Sequence, residues 1–290
     1  MDGFLLQVFS GLANGSIYAA VGLALVMIYQ STHHINFAQG EMATFATFIC
    51  WWLIDSGMSY WLAFFLTVGV AFIGGVVVQR VFIRPVERKP VLINVIVFVG
   101  LLVIFNAMSG WIFDHTLKAF DSPFPVRSAV LPQYISGHQL GSLGVTLAVL
   151  LVIYLFFRFT PIGLAMRGAA QNPDSASLVG IRVTWMLALG WGLASAIGAV
   201  AGMMMAPIMF LDPNMMAGIL LYGFAAALLG GIDNPWGAVA GGFIVGVLEN
   251  LLGAYVIGSD LKLTVALVLI VGTLTLKPNG LFGQKVVTRV

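Results

Sequence analysis

Long apolar runs recur along the 290-residue chain and are separated by short polar stretches. A helix needs about 20 mostly apolar residues to cross a hydrocarbon core about 30 Å thick. Glu41 interrupts the second run and the seventh is short, which favours broken or re-entrant helices there. The pattern predicts an all-α polytopic membrane protein with about nine transmembrane or partly re-entrant helices in a single transmembrane domain, residues 1–290. The nine runs are 5–29, 37–54, 60–79, 91–113, 139–157, 183–205, 217–231, 235–257 and 261–276.

The composition supports a membrane location and excludes an ordinary soluble protein. Hydrophobic residues make up 60% of the chain and charged residues only 8%, against about 25% charged in a typical soluble domain. The mean hydropathy is +1.02. A surface this apolar would drive aggregation in water, whereas lipid is compatible with it. Because Asp2 is the only charge ahead of Glu41, the first run lacks the basic start of a cleaved signal and is expected to remain as a span.

Basic residues are concentrated on one side of the predicted spans. If nine spans alternate, ten Lys or Arg residues fall on one side and only three on the other. The positive-inside rule makes the ten-residue side cytoplasmic. We therefore expect the N-terminus outside and the C-terminus in the cytoplasm. The ten are Arg80, Arg84, Arg88, Lys89, Arg158, Arg167, Arg182, Lys277, Lys285 and Arg289, and the three are Lys118, Arg127 and Lys262.

Motifs for ATP hydrolysis and metal catalysis are missing from the sequence. A P-loop needs Gly followed by Lys and Ser or Thr, and the chain contains no Gly-Lys pair. The adjacent His33 and His34 would point to different sides of a helix, so they do not form a helical zinc motif. We expect a chain that is not an enzyme, carries no ATPase motif of its own and binds no metal or other cofactor.

Polar and small residues inside the apolar runs mark faces that turn toward protein. A buried carboxylate costs several kcal/mol unless it is paired, protonated or hydrated, so Glu41 and Glu249 are expected to face the bundle interior. Together with Asn36, Gln39 and Asn250, they either line a translocation path or form a structural network. Small residues also recur at helical spacing, which is typical of faces that pack against other helices. These residues are Gly11, Gly15 and Gly22 in the first run, and Gly242, Gly246 and Gly253 in the eighth.

The inner loop between the fifth and sixth runs, about residues 158–182, carries a complete set of helix signals. Asn172 is a good N-cap, Pro173 suits the first helical position and Asp174 favours the positive end of the helix dipole. Gly180 can adopt the left-handed conformation that ends a helix. The loop therefore predicts a helix of about two turns, from Pro173 to Val179. This helix either inserts its small and apolar residues, Ala176 among them, into a partner's groove or lies on the lipid headgroups.

Four segments resemble the LivH-type permeases of branched-chain amino acid ABC importers. The resemblance covers nearly the whole chain and keeps the order of the segments. The sequence differs from the family's usual pattern at Gly168, where the coupling motif begins with Glu, and at Gln39, where His is common. The segments are residues 11–19, 35–42, 167–181 and 229–238.

The resemblance implies a permease subunit of an ATP-driven importer for branched-chain or related amino acids in the bacterial inner (cytoplasmic) membrane. It implies a second related permease, two ATP-binding subunits that carry ATP and Mg, and an extracytoplasmic solute-binding protein. The substrate stays open among branched-chain amino acids, urea, short amides and aromatic acids. The alternatives are an ion- or proton-coupled secondary transporter that uses Glu41 or Glu249 and, more distantly, a membrane enzyme. The resemblance assigns coupling to the ATPase to Arg167, Ala169, Ala170, Asn172, Pro173, Asp174, Ala176 and Gly180.

Overall fold

The computed structural model describes residues 2–32, 34–87, 89–126, 128 and 134–283. His33, Arg88, Arg127, Lys285 and Arg289, which figured in the sequence predictions, lie outside the described residues. Helices account for most of the described chain, and Lys118 and Leu211 form an isolated antiparallel bridge. The helices are α1 (Asp2–Thr32), α2 (Gln39–Asp55), α3 (Tyr60–Val78, continued by a π-helical turn Gln79–Ile83), α4 (Val91–Phe113), α5 (Gly137–Phe159), α6 (Pro161–Gln171), α7 (Pro173–Leu178), α8 (Val183–Met209), α9 (Met215–Gly230), α10 (Pro235–Leu252, continued by a π-helical turn Gly253–Ile257), a 3-10 turn (Ser259–Leu261) and α11 (Lys262–Leu276).

The helical architecture confirms the predicted all-α membrane fold. Six helices in the described part of the chain are long and apolar enough to cross a membrane, namely α1, α3, α4, α5, α8 and α10. Helices α2, α9 and α11 have 17, 16 and 15 residues, which is shorter than the usual length of a membrane span. Each of the nine predicted runs overlaps one of these helices. The number of complete crossings and the side on which each terminus lies stay predictions.

The described residues pack into two compact units. One contains Met1–Val26, Phe124–Gly144 and Gly218–Val290, and the other contains Met27–Pro123 and Val145–Ala217. Both units are assembled from segments that are distant in sequence, and α1, α5 and α9 each contribute residues to both. The chain passes between the units three times within a helix and once in the loop at Pro123 and Phe124. The assignment of one domain to residues 1–290 stays a prediction.

In the first unit, the glycine face of α1 packs directly on the glycine face of α10. A Cβ atom at Gly11 would lie 2.7 Å from the Cα atom of Val247, and one at Gly15 would lie 3.0 Å from the carbonyl oxygen of Gly242. A Cβ atom at Gly246 would collide with the backbone of Gly15. The prediction that both stripes face other helices is therefore confirmed, and in this unit they face each other. Close backbone approach of this kind is how helices associate where no water is present to drive them together.

In the second unit, α8 is the central helix and packs against α2 and α3. Its Trp191 side chain is completely buried and stacks on Phe98 of α4, with ring centroids 6.0 Å apart. Gly192 of α8 and Gly75 of α3 meet at a close crossing, where a Cβ atom on Gly75 would lie 3.0 Å from the Cα atom of Gly192. This tight packing fixes α8 as the rigid element against which the start of α2 is placed.

Candidate functional site

Helix α2 begins at Gln39, beside the middle of α8. The Gln39 Nε2 atom donates a hydrogen bond of 3.0 Å to the carbonyl oxygen of Ala194, the twelfth residue of α8. At a rise of about 1.5 Å per residue, that carbonyl lies about 17 Å from the start of α8. Gly198 makes room for the contact, since a Cβ atom there would collide with Gln39 Nε2. A helix that starts this far along a membrane-length neighbour fits the broken segment predicted for the second apolar run.

Asn36 closes the turn that leads into α2. Its Oδ1 atom accepts a hydrogen bond of 3.0 Å from the backbone N–H of Ala38, and its Nδ2 atom lies 3.9 Å from the sulfur of Met42. The side chain is completely buried. Both contacts are made within a few residues of Asn36, so its primary role here is to shape the start of the helix.

A polar cluster surrounds the Glu41 carboxylate, which is only 4% exposed. The Asn106 Nδ2 atom on α4 lies 3.2 Å from Glu41 Oε2, 3.1 Å from the carbonyl oxygen of Pro213 and 2.9 Å from Asn214 Oδ1. Asp212 Oδ1 accepts a bond of 2.6 Å from the backbone N–H of Asn214, just ahead of α9. The Glu41 cluster, defined as these five residues, therefore joins α2, α4 and the start of α9.

Acceptors outnumber donors in the Glu41 cluster. The Asn106 amide has two N–H groups, yet three acceptor atoms lie within hydrogen-bonding distance of its nitrogen. Asp212 adds a second carboxylate. Asn214 is exposed and Asn106 is half-buried, so the cluster is accessible from one side. An acceptor-rich, accessible cluster of this kind suits a solute group that carries several N–H donors.

Sequence reasoning predicted Glu41 but not its partners. Asn106 is an isolated amide within the fourth apolar run, and an isolated polar residue at that depth is the signal that marks a functional or structural contact. Asp212, Pro213 and Asn214 belong to a group of helix-breaking residues after the sixth run. Their pairing with Glu41 depends on how α2, α4 and α9 pack, which the sequence pattern alone does not specify.

A second network surrounds Glu249 of α10, which is also 4% exposed. The Tyr18 hydroxyl donates a hydrogen bond of 3.2 Å to Glu249 Oε2, and Lys262 Nζ lies 3.5 Å from Oε1. Lys262 Nζ also donates a bond of 3.0 Å to Asn250 Oδ1. The Tyr18 ring stacks on that of Tyr222 with centroids 4.7 Å apart. These contacts fit the structural alternative for Glu249 and Asn250, because the buried carboxylate has a cation and a hydroxyl as partners.

Gly253 allows Lys262 to reach this network. A Cβ atom at position 253 would lie 2.8 Å from both Cγ and Cε of Lys262, so only glycine leaves space for the aliphatic part of the lysine. Sequence reasoning used Lys262 only as a marker of membrane side and missed the ion pair. The available signal was the combination of a carboxylate in one apolar run and a lysine at the start of the next.

The inner loop folds into two short helices rather than the single helix predicted. Helix α7 confirms the predicted caps: Asn172 Oδ1 accepts a bond of 2.9 Å from the backbone N–H of Ser175, and Gly180 has a φ of +85°. Helix α6 was not predicted from the sequence. The hydroxyl of Thr160 caps α6 by accepting a bond of 3.0 Å from the backbone N–H of Gly163, and proline is well suited to the first helical turn.

The residues of α7 differ in exposure. Ala176 is only 5% exposed and packs within its own chain, and its insertion into a partner's groove stays a prediction. Leu178 and Val179 are 87% and 77% exposed. Among the other predicted coupling residues, Ala169 is buried, Ala170 is half-buried, and the remainder are exposed. The exposed set is Arg167, Asn172, Pro173, Asp174 and Gly180.

Comparison with known proteins identifies the family. Residues 7–274 match the family model described as "Branched-chain amino acid transport system / permease component". The chain belongs to this family. It is 29% identical over 318 residues to the permease protein LivH of the high-affinity branched-chain amino acid transport system of Escherichia coli K12, and 30% identical over 306 residues to the corresponding BraD protein of Pseudomonas aeruginosa. Each alignment covers 99% of this chain and 98% of the relative.

A solved structure shares the fold of this permease. One chain of "PsaBC from Streptococcus pneumoniae in complex with Fab" superimposes with a TM-score of 0.50 over 94% of this chain and 91% of that chain. The sequence identity is 13%, so this likeness concerns the fold alone.

The family assignment confirms three of the sequence predictions for this permease. The resemblance to LivH-type permeases is confirmed, as is the role of a permease component of an ABC importer. Together with six apolar helices of spanning length, the family confirms the inner-membrane location. Within the described part of the chain, no group of three or more His, Cys, Asp or Glu residues is placed to hold a metal ion.

Proposed function

We propose that this permease moves branched-chain or related amino acids into the cell, with ATP and Mg bound and ATP hydrolysed on two partner ATP-binding subunits. The second permease and the extracytoplasmic solute-binding protein complete the proposed importer. The names of the relatives support this substrate class. The observation that carries the proposal is the accessible, acceptor-rich Glu41 cluster at the start of a helix that begins beside the middle of α8.

The proposed orientation places the N-terminus outside and the C-terminus in the cytoplasm, with nine spans. Contacts within the second unit support the grouping of residues by side, because each joins residues assigned to the same side, and the positive-inside rule then decides which side is cytoplasmic. The Arg80 guanidinium carbon lies 3.4 Å from the centroid of the Trp185 ring, and both residues fall on the cytoplasmic side. Lys118 pairs with Leu211 and lies 4.9 Å from the Trp51 ring centroid, and these three fall on the outer side.

The Glu41 cluster is proposed as the place where the amino acid's ammonium group passes. An ammonium group has three N–H donors and one positive charge, which match the excess of acceptors and the two carboxylates, Glu41 and Asp212. Asn36 and Gln39 support the path by fixing the start of α2 beside α8. Within the first unit, Glu249 and Asn250 fix α10 to α11 through Lys262, and their place in a translocation path stays a prediction.

Uptake of an amino acid by the reconstituted importer tests the role of Glu41. The substitution Glu41→Gln keeps the side chain's size and removes its charge. A hydrogen bond to a charged group contributes about 1.5–3 kcal/mol, so uptake kcat/KM is expected to fall about 10-fold or more. The matched control is Asp55→Asn, which removes an exposed carboxylate from the other end of α2.

Two results would contradict the proposal at different levels. Normal uptake by a well-expressed Glu41→Gln importer would remove the direct role of the cluster while leaving the importer intact. Uptake by this chain alone, driven by a proton gradient without ATP or partner subunits, would overturn ATP-driven transport itself.

Coupling to the ATP-binding subunits is proposed to use the exposed surface of α6 and α7, within residues 158–182. Leu178 and Val179 expose their apolar side chains at the end of α7, and full burial of each against a partner would contribute about 1.5–3 kcal/mol. Ala169 and Ala176 hold the two helices against the chain itself. The other exposed residues of these helices and their caps include Arg167, Asn172, Pro173 and Asp174.

Copurification of the ATP-binding subunits tests the coupling surface. The double substitution Leu178→Ser and Val179→Ser is expected to weaken assembly at least 10-fold, since it removes both apolar contacts. Leu276→Ser is the matched control, because Leu276 is 88% exposed but lies at the end of α11. Undiminished assembly and ATP-driven uptake in the double variant would assign docking to another surface.

A further inference from the structure

An apolar groove with a basic rim lies between α6 and the start of α8. It has a volume of about 370 Å³. Both the helices and the groove belong to the second unit. Its lining is Ala165, Ile181, Arg182, Trp185, Met186 and Leu189.

One arginine lines the groove, and a second stacks on the groove's tryptophan. Arg182 is exposed at the start of α8. Arg80 comes from α3, and its guanidinium carbon lies 3.4 Å from the centroid of the Trp185 ring. None of the described residues that line the groove is acidic. The rim therefore carries a positive charge directly beside an apolar cleft, which suits a ligand with an anionic head and an apolar tail.

The groove also lies at the depth where a phospholipid headgroup would meet it. Trp185 is the third residue of α8, a helix of membrane-spanning length, and is 43% exposed. Tryptophan side chains prefer the boundary between headgroups and hydrocarbon. Met186 and Leu189 continue the groove along α8, away from the arginine. A lipid phosphate placed beside Arg182 would thus direct its acyl chain along these apolar residues.

We propose that this groove binds an anionic phospholipid of the cytoplasmic leaflet, with its phosphate at Arg182 and an acyl chain along Trp185, Met186 and Leu189. The choice of the cytoplasmic leaflet depends on the proposed orientation, whereas the binding of an anionic phospholipid in the groove does not. Anionic lipids are concentrated in the cytoplasmic leaflet, and basic pockets beside helices on that side recognise their headgroups. Arg182 follows α7 and is the N-cap residue of α8. A lipid bound in the groove would therefore also hold the inner loop, residues 158–182, against α8.

Native mass spectrometry of the assembled importer tests the proposal with two lipid probes. The importer is titrated with dioleoylphosphatidylglycerol and with dioleoylphosphatidylcholine, which have the same acyl chains but differ in headgroup charge. Wild type is expected to retain the anionic lipid preferentially. Arg182→Gln is expected to lower its apparent affinity about fivefold, the effect of one basic residue beside an anionic surface. Trp185→Leu tests the apolar wall independently.

Arg158→Gln is the matched control. Arg158 is exposed at the end of α5 and does not line the groove, so its variant should retain the anionic lipid as wild type does. Equal affinity of wild type for the two lipids, or equal losses in the Arg182 and Arg158 variants, would overturn the proposal. Binding by the isolated chain that disappears in the assembled importer would also overturn it, because a partner subunit would then cover the groove.

Discussion

Two neighbouring glycines of α3 provide a direct test of how closely α3 and α8 pack. A Cβ atom on Gly75 would lie 2.5 Å from the carbonyl oxygen of Trp191 and 2.7 Å from the Cβ atom of Ser195. A Cβ atom on Gly74 would meet nothing within 4 Å. Since carbon atoms in ordinary contact are about 3.5–4.0 Å apart, Gly75→Ala requires α3 and α8 to separate by about 1 Å.

The expected difference between the two alanine variants is the cost of this separation. Both gain the same backbone preference for alanine over glycine in a helix, about 1 kcal/mol in water, so that gain cancels in the comparison. Overpacking of a dense interior costs about 1–3 kcal/mol. We therefore expect Gly75→Ala to be less stable than Gly74→Ala by about 1–3 kcal/mol.

Unfolding of the full permease in mixed detergent micelles, followed by circular dichroism, measures this difference. The denaturing detergent fraction at the midpoint should be lower for Gly75→Ala than for Gly74→Ala. Uptake should also fall in the Gly75 variant, because α8 carries the Ala194 carbonyl that holds Gln39. Equal midpoints for the two variants would refute the close crossing of α3 and α8.

Three further predictions concern single contacts. Lys262→Met should destabilise the permease by about 1–3 kcal/mol, since the buried Glu249 carboxylate loses its cation, and a second change, Glu249→Gln, should restore most of the detergent resistance. Asn172→Ala should lower the stability of α7 by about 1 kcal/mol. Faster hydrogen exchange of the α7 backbone amides would measure this loss, and Ser177→Ala is the control outside the cap. Gly198→Ala should displace Gln39 and lower uptake, with expression unchanged.

Local signals allowed much of the fold to be predicted from the sequence. The apolar runs predicted the positions of the long helices, because the length of a hydrophobic stretch is set by the bilayer itself. The glycine stripes containing Gly15 and Gly246 predicted a helix contact because small residues at helical spacing allow two helix backbones to approach closely. Asn172, Pro173 and Gly180 predicted α7 because caps act within a single turn.

These local signals could not predict hydrogen-bond partners that are distant in the sequence. Asn106 and Glu41 are 65 residues apart, and Tyr18 and Glu249 are 231 residues apart. Their meeting depends on which helix faces which, and many arrangements of apolar helices satisfy the same hydropathy pattern. The burial of Ala176 within its own chain could not be predicted for the same reason: a small residue suits a contact with a partner and a contact within the chain equally well.

The start of α2 explains why the second apolar run was difficult to interpret and why the same residues are candidates for the transport path. A helix that begins at the depth of mid-α8 leaves backbone groups without helical partners, and lipid offers no hydrogen bonds to satisfy them. The Asn36 side chain accepts a hydrogen bond from the backbone N–H of Ala38, and the Gln39 side chain donates one to the carbonyl oxygen of Ala194. Polar residues are therefore required wherever a helix starts inside the bundle, whether or not a solute passes. Glu41 goes beyond that requirement, since its carboxylate bonds to the side chain of Asn106 rather than to the backbone of its own turn. This distinction supports the proposal that the charge of Glu41, more than the residues that fix the helix start, interacts with the solute.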